Sequence, residues 1–132
     1  MAFIEWRWHS KTNYTPASYT ANEVAAIMQV AAGDLNFGVC IARTRVAFNG
    51  SGTDAIIVVG DGDDADGDLA DGNMDETTAG LYRGQGAYWN GTGGPKLYTT
   101  ADAIDITFTA NTAGTRNAGS ADIHVAVAPT AF

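Results

Sequence analysis

Ala103-Ile-Asp-Ile-Thr-Phe-Thr109 decides the fold class. Ile104, Ile106 and Phe108 fall on one face of an extended chain, and Asp105, Thr107 and Thr109 on the other. A period of two with one apolar row is the mark of an antiparallel strand with one wet face. Ile123, Val125 and Val127 alternate with Asp122, His124 and Ala126 in the same way. Upstream, Asp54-Ala-Ile-Ile-Val-Val-Gly60 is apolar on both faces and reads as a central strand covered from both sides. Phe37 to Phe48 is a longer strand that places Arg43 and Arg45 on one face as it leaves the core. Asn49-Gly50 follows, a strong hairpin signal, so 37–48 and 54–60 are expected to pair as a hairpin.

Composition agrees with many short strands. The chain has 132 residues, room for one domain, and 45% of them are hydrophobic, enough for a core. Sixteen glycines and abundant Thr disfavour long helices. One segment resists. Thr20-Ala-Asn-Glu23 matches a capping box, and Val24, Ile27, Met28 and Ala31 follow at helical spacing before Gly33. These local rules favour a short helix over 21–32, with a strand over 27–31 as the rival. Residues 1–19 have no sustained periodicity and read as an N-terminal arm, with Trp6 and Trp8 on one face if extended. The loops expected at 90–95 and 111–119 are rich in Gly, Asn and Thr. The sum is an all-β, jelly-roll-like antiparallel β-sandwich over 20–132, preceded by the arm and carrying one short helix near 21–32.

Net charge is −8, from 7 Lys and Arg against 15 Asp and Glu, which argues against a nucleic-acid partner. The single cysteine, Cys40, excludes an internal disulfide. No apolar run is long enough for a membrane span or a signal-peptide core, so a soluble chain made in a cytoplasm is expected.

Eight of the 15 acids lie between Asp61 and Glu76. A hard cation wants six to eight oxygens from such a turn. Asp64, Asp66 and Asp68 fit the first three ligand positions of a calcium loop, but Leu69 stands where the sharp turn needs Gly, and Asp75 where a bidentate Glu belongs. The stretch therefore reads as a solvated loop between strands, with calcium on Asp64, Asp66 and Asp68 as the alternative and no cofactor expected. Gly60-Asp-Gly-Asp-Asp-Ala65 spells a dinucleotide fingerprint, but no helical period follows. Carboxylates would also face the phosphates, each repelling by about 4 kcal/mol at ~4 Å and an effective dielectric of 20.

Catalytic machinery is sparse. His9 and His124 are the only histidines, no Ser sits in a nucleophile elbow, and one Cys with two distant His gives no zinc spacing. Tyr82, Tyr88 and Trp89 cluster near Gly-rich loops, where aromatics stack on sugars, anchor interfaces or close the core. The basic residues of the first 45, with Trp6 and Trp8, make the other candidate surface: Trp6, Arg7, Trp8, Arg43 and Arg45 as the side that attaches to a partner or a neighbouring subunit.

Three blocks carry a resemblance: Arg45-Val-Ala-Phe-Asn-Gly-Ser-Gly-Thr-Asp54 followed by Ile57-Val-Val-Gly-Asp61; Thr78-Ala-Gly-Leu-Tyr-Arg83; and Tyr98 to Phe108 with Ala118-Gly-Ser-Ala-Asp-Ile-His-Val125. Over about residues 20 to 128 the chain resembles small virion structural proteins of tailed bacteriophages. The resemblance implies a non-enzymatic β-sandwich that decorates or cements a capsid by binding the major capsid protein. Copies of itself are implied as further partners, with a trimer favoured over a dimer. It also implies a virion location after assembly in the host cytoplasm. The alternative is a tail-fibre or baseplate module that binds a receptor or carbohydrate through Tyr82, Tyr88 and Trp89, with calcium.

Overall fold

A computed structural model of the chain describes residues 5–48, 55–90, 94–110 and 118–129. Its strands are β1 (Arg7–Tyr14), β2 (Glu23–Val30), β3 (Leu35–Val46), β4 (Ile56–Gly60), β5 (Gly80–Arg83), β6 (Lys96–Leu97), β7 (Asp102–Thr109) and β8 (Ser120–Ala128), with one helix, α1 (Ala87–Asn90). One antiparallel sheet runs β1-β8-β3-β5, with β6 pairing the start of β3; the other runs β2-β7-β4. The first four strands alternate between sheets, and the first and last strands are neighbours. This is the winding of a jelly roll. Among the described residues no helix is long and apolar enough to cross a membrane.

The alternating rows meet in the middle. Ile104, Ile106 and Phe108 of β7 face Ile123, Val125 and Val127 of β8, joined by Ile57, Val59, Cys40 and Ala42, all buried. Each large side chain so buried contributes about 1.5–3 kcal/mol. The two patterns that predicted a sheet are thus the two halves of the core.

Four expectations are corrected. Residues 21–32 hold no helix; the rival strand is realised, over Glu23–Val30. A bulge between Ala26 and Met28 resets the alternation: Ala25 and Ile27 pack partly against the core before it and Met28 and Val30 are buried after it, while Val24, the first residue of the helical spacing, is 66% exposed. Glu23 caps nothing: its carboxylate accepts from Tyr14 Oη and from the Ala17 amide at 3.0 Å.

Residues 7–14 of the expected arm are an edge strand, paired with β8 from Arg7↔Val127 to Tyr14↔Ala121. Among the described residues the opposing sheet has three strands, and β1 is largely exposed on both faces, so no apolar row marks it in the sequence. A bulge between Lys11 and Tyr14, with Asn13 at φ 52°, erases what period remained.

β3 and β4 are not a hairpin, because they belong to different sheets. The Asn49-Gly50 signal lies outside the described residues, as does most of the loop expected at 111–119. A turn signal reports a reversal of the chain, not the sheet that receives it. β4 is also an edge strand rather than a central one. The acidic stretch folds back to cover it: Val59 and Leu69 exchange backbone hydrogen bonds at 3.0 Å in both directions.

Candidate interaction face

Among the described residues no second sheet is layered over the face of the five-stranded sheet turned away from the core. Register fixes its composition in three rows. Trp8, Ala126 and Val39 form the first; Ser10, His124, Ile41 and Arg83 the second; Asp122, Arg43 and Leu81 the third. Trp6 lies beside the first row, its ring edge-on to Phe37 at 5.5 Å. Arg45 reaches Asp122 at 3.5 Å beyond the third. One end of the face is therefore aromatic and aliphatic, and the other carries guanidinium groups. Phe37 and Arg43 are six residues apart along β3, about 20 Å at ~3.3 Å per residue.

Of the expected attachment residues, the structure gathers Trp6, Trp8, Arg43 and Arg45 on this one face. Arg7 leaves the set. It points to the core side of the sheet and pairs with Asp34, whose carboxylate also accepts from the Ala31 amide at 2.9 Å. Ile41, Leu81 and Arg83 belong to the face and were not singled out. The alternation of Val39, Ile41, Arg43 and Arg45 could have shown the first; β5, only four residues long, offers too short a pattern for the others.

Tyr82, Tyr88 and Trp89 do not form a platform. Tyr82 turns inward opposite Ala42 and donates to the Thr78 carbonyl at 2.8 Å. Tyr88 is 6% exposed, its hydroxyl held by both oxygens of Asp61 at 2.9 and 3.0 Å. Only Trp89 is open to solvent, with the Arg83 guanidinium 3.9 Å from its ring centre. That contact draws Trp89 toward the cationic side of the face.

The acidic stretch is not simply solvated. Asp61, Asp68 and Glu76 are buried, together with Leu69 and Met74. Asp61 accepts from the Asp63 and Asp64 amides at 3.0 Å and from Tyr98 Oη at 2.8 Å, besides Tyr88. Asn36 then bridges Tyr98 Oη (3.2 Å) and Asp68 Oδ2 (3.0 Å). Burial, with the Asp61 carboxylate alongside, pushes the Tyr88 and Tyr98 pKa values up. Burial likewise raises Asp68 to about 7 against the opposing pull of Asn36, and Glu76 to about 6. Asp68 Oδ1 has no hydrogen-bond partner among the described residues, which suits a carboxyl that keeps its proton.

Calcium on Asp64, Asp66 and Asp68 is not what this geometry offers. Asp68 turns inward to Asn36, while Asp66 lies against Asp64. The carboxylates that do converge are Asp61, Asp63 and Asp102, each giving an oxygen within 4.8 Å of the others. Lys96 already supplies a positive charge there, through an ion pair with Asp63 that raises the lysine pKa.

One pair resembles catalytic machinery. Ser10 Oγ lies 2.6 Å from His124 Nδ1. The two are cross-strand neighbours on the open sheet face, and no carboxylate among the described residues hydrogen-bonds the imidazole to orient it, as a nucleophile–base pair requires. Its evident work is to tie β1 to β8. No family model, curated protein or solved structure matches this chain.

Proposed function

We propose that this chain is a non-enzymatic structural protein of a tailed-phage virion, a capsid decoration or cement protein that binds the major capsid protein through the aromatic end of its open sheet face. One observation carries the reading: Trp6, Trp8, Phe37, Val39 and Ile41 form an apolar field on an otherwise acidic molecule, with Trp8 53% exposed. Contiguous exposed apolar surface of this kind marks interaction sites, and aromatic anchors carry most of the energy of an interface. The resemblance noted in the sequence supplies the partner. A cement protein needs a rigid brick and a sticky face; stable interfaces bury about 1,600 Å² in total. The sheet provides the rigidity, since β8 lies between β1 and β3 and is hydrogen-bonded to both.

The test is co-sedimentation of the purified chain with shells assembled from the major capsid protein of the same particle. Wild type should pellet with the shells, and Trp8→Ala with Phe37→Ala should stay in the supernatant while keeping the wild-type circular dichroism spectrum. Failure of the folded wild-type chain to bind the shells would overturn the reading.

A further inference from the structure

β5 ends the five-stranded sheet: it pairs β3 on one side, and among the described residues no strand pairs it on the other. Its hydrogen bonds fix which residues face that open side. The Gly84 amide donates to the Cys40 carbonyl at 2.8 Å, in the register that sets Tyr82 opposite Ala42 and Gly80 opposite Thr44. Antiparallel pairs alternate between bonded and unbonded, so Gly80, Tyr82 and Gly84 bond β3 while Leu81 and Arg83 turn their N–H and C=O groups outward. An edge of this kind is a template for another strand.

The side chains around the edge select the strand it takes. Leu81 and Arg83 belong to the open face, and Leu81 is 73% exposed. Arg43, Arg45, Ala79 and Leu81 border a hollow of about 450 Å³. Among the described residues Arg43 makes no ion pair, and Arg45 has only the 3.5 Å contact with Asp122. Arg43, Arg45 and Arg83 thus stand on the open edge or one strand in from it, on a molecule whose net charge is −8.

We infer that β5 is a docking edge for an extended acidic segment of a partner protein, which pairs its backbone with Leu81 and Arg83, lays an apolar side chain beside Leu81 and turns carboxylates toward the three arginines. Charge complementarity picks this occupant. Phosphates could meet the arginines, but they offer no N–H to the outward carbonyls. The same strand of a second copy would set arginine against arginine. Strand addition of this kind takes its affinity from main-chain hydrogen bonds and its specificity from alternate side chains. The inference goes beyond attachment through Trp8 and Phe37, which lie toward the other end of the face.

The probe is a peptide, Thr-Glu-Thr-Val-Thr-Glu-Thr, capped at both ends and titrated into the full chain at low ionic strength, where charge pairing is least screened. Amide hydrogen exchange followed by NMR is the readout. The Leu81 and Arg83 amides should become protected as the peptide binds, with a Kd of about 1 mM or tighter. Arg43→Gln with Arg45→Gln, both exposed positions, should weaken binding about tenfold while leaving Tm unchanged. The same peptide with Lys for Glu, or with its central amides N-methylated, should not protect Leu81 and Arg83. The inference is overturned if millimolar peptide leaves both amides unprotected, if the lysine or N-methylated peptide protects them equally, or if inorganic phosphate binds the arginines where the peptide does not. None of these results bears on shell binding by Trp8 and Phe37.

Discussion

Asn36 and Asp68 meet across the two layers of the molecule. The amide nitrogen of one lies 3.0 Å from a carboxylate oxygen of the other, and both side chains are fully buried. Asn36 belongs to β3 in the five-stranded sheet, whereas Asp68 belongs to the segment that covers β4 in the three-stranded one. The bond therefore fastens the acidic stretch to both sheets. Tyr98 and Tyr88 extend it to Asp61, so most of the buried polar atoms there are satisfied by one another. Such networks are costly when incomplete, and among the described residues only Asp68 Oδ1 of this network lacks a partner.

Stability should accordingly fall as pH rises. Asp68 and Glu76 have folded pKa values of about 7 and about 6, both above the ordinary carboxyl range. A raised carboxyl binds its proton more tightly in the native state, so its contribution is complete below pH 4 and is lost as pH climbs through 6 and 7. Thermal melts should show Tm dropping by roughly 5 °C or more between pH 4.5 and 8. Asp68→Asn, which keeps an acceptor for Asn36, should flatten that slope. An unchanged slope in the variant would mean that Asp68 is not the group responsible.

Gly38→Ala should cost about 1–3 kcal/mol, lowering Tm by roughly 5–10 °C. Gly38 has φ +72°, and an added Cβ would sit 2.5 Å from the Trp89 amide nitrogen and 2.8 Å from the Tyr88 carbonyl carbon. The helix α1 would be pushed off β3, carrying with it the Tyr88 hydroxyl that holds Asp61. Tryptophan fluorescence should report the move through Trp89, and a wild-type Tm with wild-type emission would contradict this account.

What could be read from the chain beforehand follows from where water lies. β7 and β8 have one wet and one dry side or are nearly dry throughout, and their alternation announced them. β1 has water on both sides and announced nothing, so it passed for a loose arm. In β2 the bulge at Ala26/Met28 turns the adjacent Ile27 and Met28 toward the core together, an adjacency that a helical pattern also contains. The attachment residues were partly legible, because Arg43 and Arg45 alternate on a strand that was recognised. Arg7 misled, since a lone basic residue gives no sign of whether its partner is Asp34 of the same fold or another molecule. The buried carboxylates were invisible for a plainer reason: an Asp-rich stretch looks the same whether it is solvated or bonded to Tyr88, Tyr98 and Asn36.

The two readings of residues 20–23 make opposite predictions. If Thr20 capped a helix, Thr20→Ala would cost about 1 kcal/mol. In the structure, Thr20 lies exposed in the turn before β2 and its hydroxyl bonds only that of Ser18 at 3.2 Å, so the change should stay within about 0.5 kcal/mol. Glu23→Ala, in contrast, removes the partner of buried Tyr14 and of the Ala17 amide, and should cost about 1–3 kcal/mol. Urea denaturation of both variants decides between them.

Deleting residues 1–14 is the severest test of the edge-strand assignment. A dispensable arm could be removed with little change in Tm. β1 cannot, because its backbone pairs with β8 from Arg7 to Tyr14 and its last residue is buried beneath the sheet edge. The truncation would leave the β8 ladder open along the row of Ile123, Val125 and Val127, an apolar edge of the kind that invites aggregation. It should also remove the Asn13 amide and the Ser10 hydroxyl from Asp122 and His124. The expected result is a chain that melts at least roughly 10 °C lower, or that aggregates before it melts. A truncated chain with a wild-type melting curve would show that β1 is held to the sandwich by far less than its pairing implies.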